Sequence, residues 1–226
     1  MRRVLSLLII PALVACADPL GPAAVPVPVL WAEWPAAVTA AQNGSVLVSY
    51  VSGFCGTLSL GVTAEFPDVT VRSEVTPSGM VCPLADLFPA FPSDSLLPLP
   101  KLAAPYGLPT YYSVKATLSD PFDGTPVIHT LGTIQVAAAG DTTRYMAGSG
   151  SLFVDSAGCP VLVGGFGFPG PSGQTHTYAI LNPPKLDSVA RRALAGAHVV
   201  TDSLPPAGCG THRVVHLDYA IVSLVP

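Results

Sequence analysis

Charge is scarce in this chain. Only 11% of its 226 residues are Asp, Glu, Lys or Arg, and the formal net charge is −4. The ten basic residues form no stripe of the kind that neutralises a phosphate backbone, which excludes a general nucleic-acid partner. A membrane-spanning segment is also lacking. The apolar run from Val4 to Ala15 is broken by Ser6 and Pro11 and falls short of the ~20 residues needed to cross a bilayer. No two cysteines stand at C-x2-C spacing, which argues against a structural zinc site built from them. Neither H-E-x-x-H nor G-x-S-x-G occurs, so the usual metalloprotease and serine-hydrolase signatures are missing. A catalytic triad assembled from distant residues stays open, because triads are geometric and not sequential.

Proline and glycine, by contrast, are plentiful at 25 and 21 residues, while hydrophobic residues make up 50%. That mixture argues against a helical protein and for many short strands joined by turns. The length suits one large or two small domains.

The first sixteen residues set the context. Arg2 and Arg3 head a short apolar core that ends in Leu13-Val14-Ala15-Cys16. A basic head, a short apolar stretch and a small residue before a cut point describe a secretory signal. The closing tetrapeptide resembles the lipobox of bacterial lipoproteins. The resemblance implies a signal peptide over residues 1–15, cleavage before Cys16 and lipid on the Cys16 thiol and the new amino group. Several acyl chains would moor the protein stably, at about 0.8 kcal/mol per buried CH2. Ala17 in place of aspartate is similar to an outer-membrane sorting signal. The expected location is therefore the bacterial cell envelope, as an outer-membrane lipoprotein facing the periplasm or the cell surface. Loss of Arg2 and Arg3 makes the mature chain two charges more negative. Residues 16–35 carry prolines at 19, 22, 26, 28 and 35 and read as a lipidated, extended tether. Trp31 and Trp34 are expected to pack against the domain that follows.

Residues 36–137 alternate apolar and polar positions with period two in Ser45 to Val51, Thr57 to Glu65 and Val69 to Val75. Tyr111 to Leu118 is expected to pair with Val127 to Val136 across the turn at Asp120 to Gly124. The proline-rich residues 83–109 read as a long irregular connection. Six or seven short strands predict a β-sandwich. The run resembles an immunoglobulin-like domain of bacterial surface proteins. Residues 138–148 are small and polar enough to form a linker.

Residues 149–226 predict short strands at Ser151 to Val154, Pro160 to Val163, Thr175 to Leu181, Ala197 to Thr201 and His212 to Leu224. Leu186, Val189, Ala190, Ala193 and Leu194 recur at helical spacing and predict one short helix stopped by Gly196. The order resembles an OB-fold five-stranded β-barrel. Gly150, Leu152, Gly158, Cys159, Leu162, Tyr178, Ile180, Leu194, Gly196, Val199, Cys209 and Gly210 match a pattern of small bacterial secreted domains with that fold. The resemblance implies a fold and a disulfide, not an activity.

With Cys16 lipidated, four cysteines remain: Cys55, Cys82, Cys159 and Cys209. An exported chain meets an oxidising compartment, so two disulfides are expected. Of three possible pairings, Cys55–Cys82 and Cys159–Cys209 each stay within one domain and are the ones expected.

Sites of chemistry are thin. Gly165 to Gly170 spells G-x-G-x-x-G, but Pro169 and Pro171 prevent the helix that a dinucleotide site needs. His212 and His216 lie about 13 Å apart on a strand, too far for joint ligation. His129, His176 and His198 show no metal spacing. Asp120 and Asp123 read as turn residues and not calcium ligands. Residues 141–226 balance five basic against five acidic side chains, which again argues against nucleic acid. No catalytic, metal or cofactor site is expected. The function these features predict is a non-catalytic, lipid-anchored adaptor or ligand-binding module. Its partners would be the membrane, through the anchor, and an envelope protein or glycan. An extracytoplasmic hydrolase acting on envelope material and a structural spacer are the alternatives.

Overall fold

A computed structural model describes residues 23–52, 56–77, 91–120, 122–123, 125–164 and 176–223. Cys16, Cys55, Cys82 and the Gly165 to Gly170 run lie outside them. The described residues hold fourteen strands and no helix. The first nine are β1 (Val25–Pro26), β2 (Val29–Pro35), β3 (Ala37–Thr39), β4 (Gly44–Ser52), β5 (Gly56–Glu65), β6 (Asp68–Pro77), β7 (Phe91–Leu99), β8 (Thr110–Ser119) and β9 (Pro126–Ala137). The remaining five are β10 (Arg144–Val154), β11 (Pro160–Gly164), β12 (His176–Ile180), β13 (Arg191–Val199) and β14 (Arg213–Val222). The protein is mainly β, as its composition predicts.

The hairpins follow the local signals. β5 and β6 pair antiparallel around the Phe66-Pro67 turn. β8 and β9 pair antiparallel through ten registered positions, as their alternation predicts. β10 and β11 close over the turn at 155–158, where Asp155 Oδ1 accepts the amides of Ala157 and Cys159 and Gly158 takes φ 82°. Only glycine adopts that conformation without a steric penalty.

One departure lies in the stretch read as irregular. Phe91–Leu99 forms β7, paired along its length with β4. Its prolines are tolerated because β7 has no other ladder partner among the described strands, and an edge strand need not donate on both sides.

The predicted helix over 186–196 is a correction. Residues 181–190 form bends, and Arg191–Val199 is strand β13. Pro183 and Pro184 precede it. Asp187 turns its carboxylate back to accept the Val189 amide, at 3.0 Å, in competition with a helical turn. The small run Ala193-Leu194-Ala195-Gly196-Ala197 is then buried on both faces between β10 and β14. A strand covered on both sides loses its period-two signature, and a short apolar run then reads equally well as helix.

β10, β11, β12, β14 and β13 close into a five-stranded barrel, in that order. Every pairing is antiparallel except β12 with β14. The barrel core holds Met146, Leu152, Leu162, Ile180, Ala193, Ala195, Ala197, Val215 and Leu217. A second core collects Val46 and Val48 from β4, Val69 and Val71 from β6, Val114 and Leu118 from β8, and Ile134 and Val136 from β9.

β2 joins the two cores. It pairs antiparallel with β4 and with β10, so the strand network is continuous from β4 into the barrel. Alternation sends its tryptophans to opposite sides. Trp34 enters the core shared with β4 and β9 and donates its indole N–H to the Thr133 carbonyl at 3.1 Å. Trp31 points into the barrel core and stacks on Tyr178 at 5.9 Å between ring centroids. Gly148 on β10 makes this possible: a Cβ there would collide with the Trp31 ring and with the Leu30 carbonyl. We expect Gly148→Ala to cost about 3 kcal/mol, because backbone as well as side chain must move. A shifted denaturation midpoint with a lost Trp31 emission signature is the check.

Candidate functional site

Two polar constellations stand out on this framework. The first lies where β2, β10 and β14 meet. Glu33 falls between the two tryptophans and is only 3% exposed. Arg144 donates Nε–H to its Oε1 at 2.6 Å. Arg213 donates to Oε2 at 2.9 Å and to Oε1 at 3.2 Å. Arg144 also reaches the carbonyls of Glu33 and Ser45. Burial, then the nearby Glu33 charge, pushes the Tyr178 phenol well above its ordinary range, so it stays neutral. Both Glu33 carboxylate oxygens are engaged by arginine, so this group ties β2, β10 and β14 together.

The second constellation sits on the outer face of the barrel. Ala193, Ala195 and Ala197 of β13 point inward. Leu194 points the other way into the β4–β9 core, and His198 shares its side of the strand. Directly opposite in register is His216 on β14. The two imidazoles stack with centroids 5.0 Å apart. Tyr145 meets His198 edge to face at 6.0 Å.

A β-bulge brings in the third member. Ala197 pairs with Leu217 and Gly196 with Tyr219, which leaves Asp218 as the extra residue of β14. A bulge re-aims a side chain out of the regular alternation. Here Asp218 Oδ1 lies 2.8 Å from His198 Nδ1 and 4.0 Å from His216 Nδ1. Gly196 supports the bulge, since any Cβ would enter the Tyr219 ring. Tyr219 donates its hydroxyl to the Leu131 carbonyl at 3.3 Å, and burial followed by the Asp218 charge raises its pKa. One ligand atom from each of His198, His216 and Asp218 lies within 4.8 Å of the others.

The residues singled out in the sequence fare differently. Cys159 and Cys209 are joined, as expected, in a disulfide spanning 50 residues. The Cys55–Cys82 pairing and the Cys16 anchor lie outside the described residues. Asp120 accepts the Phe122 amide, and Asp123 accepts the amide and hydroxyl of Thr125. Those bonds, the Thr125 amide first, hold Asp123 below the usual carboxylate range. Both aspartates are turn residues, as read. Sequence spacing pairs His216 with His212, whereas cross-strand register pairs it with His198. Only the register could have revealed that, and it is not local information.

A patch of exposed apolar and aromatic groups gathers beside the β5–β6 turn. Phe66 and Tyr106, both exposed, pack edge to face, and Phe66 also meets the buried Tyr112 edge to face. Comparison of the chain with protein-family models, with curated proteins and with solved structures returns no match.

Proposed function

We propose that this chain is a lipid-anchored protein of the bacterial cell envelope that serves as a non-catalytic adaptor or ligand-binding module. The lipobox Leu13-Val14-Ala15-Cys16 carries the reading. The Cys159–Cys209 disulfide supports it, because such bonds persist in oxidising compartments. Glu33 supports the non-catalytic part: the most buried carboxylate among the described residues is engaged by Arg144 and Arg213.

The barrel order supports an OB-like assignment for residues 149–226. The convergence of β4, β6, β8 and β9 on one core supports an immunoglobulin-like reading of the preceding region, with the parallel β6–β8 and β3–β9 pairs as departures from an all-antiparallel sandwich. Phe66 and Tyr106 would supply part of the contact surface for an envelope partner, since exposed aromatic residues combine apolar area with, in tyrosine, a polar tip.

Labelled palmitate tests the anchor. We expect Cys16→Ser to abolish incorporation and release the protein from the membrane fraction. Unchanged labelling and retention would remove the foundation of this reading. A second reading, an extracytoplasmic hydrolase, draws on one observation: His198 and Asp218 stand within hydrogen-bond reach, as a base and its orienting carboxylate do.

A further inference from the structure

We propose that His198, His216 and Asp218 form a binding site for a divalent transition-metal ion of the zinc type. The inference is independent of the anchor. Two imidazoles and one carboxylate are the donor set that borderline ions prefer, whereas calcium and magnesium favour all-oxygen shells.

The geometry suits the ion. A tetrahedral zinc with ligands at about 2.0–2.1 Å keeps its donors roughly 3.3 Å apart. The distances from Asp218 Oδ1, 2.8 Å to His198 Nδ1 and 4.0 Å to His216 Nδ1, bracket that value.

A separate observation points the same way. His216 Nδ1 is closed off from solvent and has no hydrogen-bond partner among the described residues. A shielded ring nitrogen without a partner is costly in a purely structural role. With the Asp218 Oδ1 atom 4.0 Å away and a second imidazole beside it, it has a use as a ligand. Two-strand pairing alone would place His198 and His216 together, but it would not add Asp218. The β14 bulge and the bare Gly196 beneath the Tyr219 ring do that. The side chains of His198, His216 and Asp218 remain 32%, 42% and 36% exposed, so the cluster lies at the surface and not in the core. Tyr145 against the His198 ring restricts its rotation.

The test uses the full chain, purified in detergent without a polyhistidine tag, its free thiols alkylated and its metal removed with a chelator. Titration with Zn2+ in a calorimeter should show one ion per chain. His198→Ala, His216→Ala and Asp218→Asn should each weaken binding by about tenfold or more. His212→Ala should bind as the parent does. Imidazole proton resonances of the unmutated protein give a readout that no folding defect can mimic: Zn2+ should shift the signals of His198 and His216 and leave those of His212 in place. Absence of stoichiometric binding would overturn the proposal. So would undiminished affinity in a His198→Ala/His216→Ala double variant, or shifts confined to other histidines.

Discussion

Replacing both Cys159 and Cys209 with alanine is expected to lower stability by about 4 kcal/mol, the loop-closure value for the 50 residues the bond encloses. For a chain of this length that corresponds to a fall of roughly 10 °C in melting temperature. The bond ties the β10–β11 turn to the long β13–β14 connection. Cys159 lies just before β11. Cys209 lies between Gly208 and Gly210, both at positive φ. Around the sulfurs sit Val161 and Ala179, with Phe153 and Val163 packed against them, a small cluster separate from the two main cores. Without the cross-link, that cluster is too small to hold the 200–212 segment against the barrel. The amides of β11 and β12 should then exchange faster than those of β8 and β9. Chemical denaturation with hydrogen exchange reads both effects. A loss under about 1 kcal/mol would mean that the barrel closes on packing alone. In the same variant any further loss on adding reductant reports on Cys55 and Cys82 alone, and the expected second bridge should produce one.

The parts of this architecture that were readable from the sequence are those whose cause is local. The Thr57 to Glu65 and Val69 to Val75 strands alternate, and a Phe-Pro-Asp turn lies between them, so β5 and β6 could be paired without knowing the rest. The same holds for β8 and β9. The 159–209 disulfide followed from the division of the chain into domains.

What was unreadable depends on long-range pairing. β13 looked helical because both its faces are buried, one by the barrel core and one by Leu194's neighbours from the other core. β7 was hidden by its prolines, which only an edge position permits. The stretch Val29–Pro35, which reads as proline-rich tether, supplies β2, and Arg144 to Gly148, which reads as linker, pairs with it. The candidate metal ligands are the extreme case. His198 and His216 face each other through a register shared with six other β13–β14 pairs, and Asp218 joins them only through a one-residue bulge. The spacing of the three along the chain does not announce the cluster. The signal that was present is Gly196, a glycine inside an apolar run, which marks a bulge or a close approach more often than a helix stop.

Glu33 offers the sharpest test of how the two cores are joined. Its carboxylate comes from β2, and its partners come from β10 and from the start of β14, 111 and 180 residues away. Removing one member of a buried, hydrogen-bonded ion group typically costs about 3–5 kcal/mol, because the others keep their desolvation penalty and lose their compensation. Arg144 and Arg213 retain partial solvent access, at 28% and 46% side-chain exposure, which places Glu33→Gln at the low end, about 3 kcal/mol. Arg144→Met should cost at least as much. It leaves a carboxylate only 5% exposed with a single half-exposed arginine, and burial penalises that charge most. The triple replacement Glu33→Leu, Arg144→Met and Arg213→Met is the decisive arm. If the triad holds the β2–β10–β14 junction by specificity and not by net energy, the triple variant should recover most of what Glu33→Gln loses, since apolar substitution of a whole buried ion group is often neutral or stabilising. Urea denaturation of the four proteins gives the comparison. A triple variant as unstable as Glu33→Gln would show instead that the charges themselves, through the Arg144 bonds to the Glu33 and Ser45 carbonyls, fasten β2 between the barrel and the strands around β4.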